Sequence, residues 1–148
     1  MAEKKISQLT AKGAAIAATD LLVISEDAGG GTYTTKSVTG ANILSPRVQS
    51  VTSSATVTAT SANDLVKVTA QAAGLTLANP TGTFVEGQAL IFRIKDNGTA
   101  RSIGFGTKFR AIGVTLPTTT TISKTTYVGC IYNSTDDKFD VIASLTEA

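Results

Sequence analysis

Histidine is absent from the chain, which removes the commonest general base at neutral pH and the commonest nitrogen ligand for zinc. The single cysteine, Cys130, rules out an intrachain disulfide, so the framework of a small secreted domain is excluded and stability must come from packing. There is no tryptophan, and only five Phe and three Tyr are available, a poor supply of rings for stacking on sugars. Charged residues make up 16 %, below the ~25 % usual for globular chains. A small domain with so few charges shows water an apolar or neutral surface, which predicts an oligomer. The net charge of +2 is too small to point to nucleic acid. No stretch reaches the ~18 apolar residues of a membrane span, and MAEKKISQL lacks the apolar centre of a secretory signal. The expectation is a protein made and folded in a cytoplasm, without a membrane or nucleic-acid partner.

What is present is small and β-prone. Twenty-five residues are Thr, 20 are Ala and 13 are Gly. Thr favours pleated, half-solvated strand surfaces, so β structure is predicted over helix. The most informative stretch is 88–105, QALIFRIKDNGTARSIGF. Asn97-Gly98 suits a type I′ turn, and a two-residue loop sets Ile94 opposite Arg101, Phe92 opposite Ile103 and Leu90 opposite Phe105. Side-chain alternation then puts Leu90, Phe92, Ile94, Ile103 and Phe105 on one face, with Arg93, Lys95, Ser102 and Gly104 on the other. The stretch is predicted to be a hairpin with one buried face. A second hairpin is predicted from 127–132 and 139–143, in which Tyr132 faces Phe139, Cys130 faces Val141 and Val128 faces Ala143. Further strands are expected within 51–60, 65–69, 75–77 and 108–115, the spacing of an all-β sandwich close to a jelly roll. No tandem repeat at solenoid spacing is visible.

Residues 1–46 read differently from 47–148. Ile6, Leu9 and Ile16 are too loosely spaced for a strand, and 14–18 suits a helical turn or an extended arm. DLLVIS at 20–25 and TYTTKSV at 32–38 flank EDAGGG, which predicts a two-strand hairpin with a loose tip. Thr39 is placed to cap a short turn that Pro46 stops. A segment with so few large apolar groups cannot hold itself together, so it should dock on something. The organisation expected is an attachment arm, 1–46, and a β-sandwich domain, 47–148.

Sites for chemistry are scarce. Cys130 lies on an inward strand face and reads as core rather than nucleophile. Asp136, Asp137 and Asp140 lack the ordered spacing of a calcium loop and read as a solvated turn. Gly29-Gly30-Gly31 and Gly104-Phe105-Gly106 do not join a strand to a helix as phosphate cradles do. Asn97-Gly98-Thr99 and Asn133-Ser134-Thr135 match glycosylation sequons, which read as chance matches in turns. No catalytic, cofactor or metal site is expected. Arg93, Lys95, Arg101, Lys108 and Arg110 concentrate positive charge; the favoured reading is a solvated face, and the alternative is that several share one sheet face and meet a sugar acid, a lipopolysaccharide phosphate or another acidic partner.

The segments GQALIFRIKDNGTARSIGFG, FRAIGVTLPTTT and TYVGCIYNSTDDKFDVIA together resemble a recurring β domain of tailed-bacteriophage virion proteins, the head-fibre, decoration and tail-fibre components. KISQLTA, TDLLVIS and YTTKSVTGANI resemble the short attachment segment that opens many phage fibre proteins. The resemblance implies a homotrimer with its N-terminal anchor on the virion and its β-sandwich facing outward. No coiled-coil or repeat shaft lies between Val38 and Val51, which favours a short decoration over a long adhesin. The expectation is a non-enzymatic capsid decoration or short head fibre, localised to the virion after assembly in the host cytoplasm. Its partners would be its own copies and the major capsid protein or another virion structural protein, with Ile6, Leu9, Leu21, Leu22, Val23 and Ile24 as docking residues. The alternative is a tail or fibre tip that binds a host-surface glycan. A glycan-cleaving enzyme would need paired carboxylates, whereas the acidic residues cluster in turns and in the arm.

Overall fold

Turn and cap residues organise the first part of the chain. In the computed structural model, which describes residues 17, 19–27 and 33–148, the chain divides into two compact units, Met1–Ser45 and Pro46–Ala148. In the first, β1 (Leu21–Asp27) and β2 (Tyr33–Thr39) pair antiparallel, with Leu22 opposite Val38 and Leu21 opposite Thr39. Thr39 then caps α1 (Gly40–Leu44), its Oγ1 accepting from the Asn42 amide at 3.3 Å. The cap satisfies one of the amides that a helix start leaves free, and Pro46 follows directly after the last turn. The predicted hairpin and cap are both present. Ile6, Leu9, Ile16 and the glycine tip lie outside the described residues.

The second unit is all-β, as the threonine-rich composition predicts. Its described strands are β3 (Val48–Val51), β4 (Thr56–Val57), β5 (Leu65–Gln71), β6 (Leu75–Leu77), β7 (Ala89–Asp96), β8 (Ile103–Phe105), β9 (Phe109–Ala111), β10 (Thr125–Asn133) and β11 (Lys138–Thr146). They form a six-stranded sheet in the order β3-β5-β7-β10-β11-β9 and a three-stranded sheet in the order β4-β6-β8. Up to β9 the chain visits the two sheets alternately, and β3, β5 and β7 stack in parallel, as do β4, β6 and β8. An isolated parallel bridge also joins Thr60 to Thr81. The chain therefore winds in successive turns that are unequal in length, which is why no repeat shows in the sequence. Jelly rolls are built from antiparallel strands, and these parallel ladders depart from that pattern.

The stretch 88–105 is the main correction. β7 does not pair with β8: its two edges are taken by β5, parallel, and β10, antiparallel, while β8 joins the other sheet beside β6. A type I′ turn needs two consecutive residues at positive φ, and here only Gly98, at φ 102°, has one. The cause is Asp96, whose buried carboxylate accepts from the amides of Gly98 (2.7 Å) and Ser123 (3.0 Å) and from the Thr120 hydroxyl (2.6 Å). These bonds bend the chain across the core instead of back along its own edge. The predicted faces survive because alternation does not depend on which strand is the neighbour. Leu90, Phe92, Ile94 and Ile103 are buried, and Phe105 packs against them.

Elsewhere the differences are smaller. β10 and β11 form the predicted hairpin with Tyr132 opposite Phe139 and Cys130 opposite Val141, but a bulge beyond Cys130 shifts the register, so Val128 faces Ser144. The strand expected at 51–60 is broken between β3 and β4, where the Ser54 hydroxyl bonds to the Thr56 backbone. The one expected at 108–115 is confined to β9. Both sheets contribute to one core, in which Phe109 meets the rings of Phe92, Phe105 and Phe139 at 5.6–5.8 Å.

Two substitutions separate packing from the turn. Phe92→Ala should cost about 3–5 kcal/mol in urea denaturation at any pH where the chain folds. Burial alone would raise the pKa of Asp96, but hydrogen bonds from Thr120, Ser123, Gly98 and Thr99 outweigh it and hold the carboxyl below its ordinary value. Its contribution is thus complete above the unfolded pKa of ~3.9 and is lost as pH falls through the lower folded value. Asp96→Asn should cost roughly 1.5–3 kcal/mol at pH 7, and the gap to the parent should narrow in acid. A gap constant with pH would contradict this role for Asp96.

Candidate functional site

Strand alternation gives the six-stranded sheet one face toward the core and one toward solvent. Across the solvent face the register sets Ser50, Lys67, Arg93, Tyr127 and Leu145 in one row, taken from five consecutive strands. An open groove of about 300 Å³ lies there, lined by Lys67, Thr69, Arg93, Lys95, Thr125 and Tyr127. On the other side of Tyr127 and Thr125 a second hollow, of about 410 Å³, is lined by Leu145, Thr146 and Glu147. Tyr127 stands between the two, 42 % exposed. Lys95 is tethered, donating to the Ser123 carbonyl at 2.7 Å and to Glu147 at 3.3 Å. Glu147 also accepts from the Thr125 amide, the bond that contributes most to holding its carboxyl below its ordinary range.

The five cations that lie close in sequence are not all brought together. Arg93 and Lys95 line the groove, but Lys108 and Arg110 belong to the loop and strand at the β9 edge of the sheet, where acids neutralise them. Lys108 pairs with Asp137 at 2.7 Å, and Arg110 holds Asp136 at 2.9 Å and Asp140 at 2.8 Å. These bonds keep the Asp137 and Asp140 carboxyls low and push the Arg110 guanidinium up. Arg101 is elsewhere, two residues before β8, where its backbone exchanges hydrogen bonds with Thr120. Lys67 takes its place beside Arg93. It arrives on β5, a parallel neighbour remote in sequence, and its outward place within LVKVTAQ was the only local sign of it.

The other candidates fall as follows. Leu21, Val23 and Ile24 are exposed on the β1–β2 hairpin, Leu21 at 67 % and Val23 at 55 %, while Leu22 is half-buried opposite Val38. Ile6 and Leu9 are outside the described residues. Cys130 is buried at 3 % exposure, and burial pushes its thiol up to about 12, so it stays protonated and inert. No cluster of His, Cys, Asp or Glu among the described residues is arranged to hold a metal ion. The sheet face also carries exposed apolar side chains away from the groove, namely Val48, Ile91, Ile131 and Ile142.

Comparison with protein families, with curated proteins and with solved structures found no match to this chain.

Lys67 and Arg93 are like charges directly opposite each other, which destabilises a strand pair. Lys67→Gln should therefore raise stability by roughly 0.2–1 kcal/mol in dilute buffer. In about 1 M salt, where the Debye length is ~3 Å, the gain should vanish. A loss of stability at either ionic strength would show that Lys67 is a structural residue.

Proposed function

We propose that the chain is a non-enzymatic structural protein of a bacteriophage virion, a trimeric capsid decoration or short head fibre that docks on the shell through its N-terminal arm. The observation that carries this reading is the exposed apolar hairpin of the first unit. The described residues of this unit, two strands and a five-residue helix, bury too little surface to be stable alone. Yet Leu21 and Val23 turn outward from one face of that hairpin and Ile24 from the other. Large apolar side chains so displayed are suited to a dry contact with another protein.

The acidic residues support a structural role for the second unit. Asp64 pairs with Arg47 at 2.6 Å, Glu86 accepts from Ser134, and Asp96, Asp137, Asp140 and Glu147 are engaged as described. Each of these six carboxyls is held below its ordinary value. A glycosidase acid needs the opposite, a carboxyl raised so that it is protonated at working pH. For the trimer, the support is the low charge content together with Val48, Ile91, Ile131 and Ile142 on the outer sheet face. The capsid is the favoured location because the turn and cap at 39–46 lead straight into β3 with no shaft between.

The test is binding to particles assembled without the protein. Full-length chain should coat them, and Val23→Asp should abolish coating while leaving the melting of the second unit unchanged, because an unpaired carboxylate at a dry interface costs several kcal/mol. Undiminished coating by Val23→Asp and by a chain starting at Arg47 would refute docking through the arm.

A further inference from the structure

Two cations on the outer sheet face stand without a counter-charge. Lys67 and Arg93 are register partners, and among the described residues neither makes an ion pair or a side-chain hydrogen bond. Arg47, Lys95, Lys108 and Arg110, by contrast, each have an acid partner within the chain. A like-charged pair costs stability, so an arrangement that keeps it without a partner is poised for an anion from outside.

The surroundings narrow what that anion belongs to. Thr69 and Thr125 add hydroxyls to the basic groove, and Tyr127 offers an exposed ring at its border. Beyond the ring, the second hollow changes character: it is lined by Leu145, Thr146 and the Glu147 carboxylate. A long polyanion such as nucleic acid would meet Glu147 unfavourably and would find only three cations. A second copy of the chain has few carboxylates to give, since Asp64, Asp136, Asp137 and Asp140 are already paired with its own Arg47, Lys108 and Arg110. We infer that the two hollows form one extended site for an acidic oligosaccharide: a carboxylate or ester anion sits between Lys67 and Arg93, a sugar ring lies over Tyr127, and neutral hydroxyls reach Thr125 and Glu147. The two adjoining hollows suit a chain of rings, and rings stack on aromatic faces while their hydroxyls bond to Thr and Glu. This site sharpens the glycan-binding alternative raised by the sequence, and it stands whether or not the chain belongs to a virion.

The experiment is a titration of the isotope-labelled full chain, followed by amide NMR and calorimetry, with an oligosaccharide of alternating glucuronate and N-acetylglucosamine. Amides of Lys67, Arg93, Tyr127 and Leu145 should shift together, and raising the salt should weaken binding. Lys67→Gln and Arg93→Gln, outward and unpaired, should fold normally and each lower affinity about tenfold. Tyr127→Ala should weaken the same ligand, and a neutral N-acetylglucosamine oligosaccharide of equal length should not bind. Shifts with inorganic phosphate that match those of the oligosaccharide and stop short of Tyr127 would mean an adventitious ion only and overturn the proposal. Equal affinity for a polyglutamate peptide or an RNA oligonucleotide would overturn it too, as would loss of self-association in Lys67→Gln, which would make the pair a subunit contact.

Discussion

The Asp96 carboxylate sits where β7 ends, buried and holding the amides of Gly98 and Ser123 and the hydroxyl of Thr120. A charged acceptor in a dry place must be fully bonded or it costs several kcal/mol. Here the bonding draws in both the residues just after β7 and the 120–123 turn that leads into β10. That sends β8 to the opposite sheet and leaves both edges of β7 open for β5 and β10. Leu90, Phe92 and Ile94 therefore look across the core at Leu75, Leu77 and Ile103, and the two sheets close on one set of rings.

The same constraint composes the outer surface. With β5 beside β7 in parallel, Lys67 lands on one side of Arg93, and with β10 on the other edge, Tyr127 lands on its other side. The basic groove is a product of that strand order: a β7–β8 hairpin would have put Ser102 and Gly104 there instead. At the β9 edge, Lys108 and Arg110 are consumed by the acids of the β10–β11 turn and the start of β11, whereas Lys67 and Arg93 have no ion pair among the described residues.

Much of this was legible one strand at a time. Alternation identified the buried set of β7 and β8, and the facing of Tyr132 with Phe139 and Cys130 with Val141 followed from a short local turn. The β1–β2 hairpin and the Thr39 cap were equally local. What escaped was every pairing between strands remote in sequence, because parallel stacking leaves no turn signal and unequal windings leave no repeat. Asn97-Gly98 is a strong hairpin dipeptide, yet the Asp before it had tertiary partners at 120 and 123 that no local rule could see. For the basic groove, proximity in sequence grouped Arg93 and Lys95, which line it, with Arg101, Lys108 and Arg110, which lie elsewhere, and gave no sign of Lys67.

The apolar hairpin of the first unit and the well-bonded second unit are the basis of the proposed role, in which the first attaches and the second carries the exposed sheet face. The proposed place for such a protein is the outside of a phage particle. The most direct measurement is quantitative mass spectrometry of purified particles from a phage genome carrying this gene, with and without gentle protease treatment. The account predicts a stoichiometric virion component, present as trimers and shaved from the shell while the capsid stays intact. Particles that assemble normally and contain none of the chain, although it is expressed during infection, would contradict it.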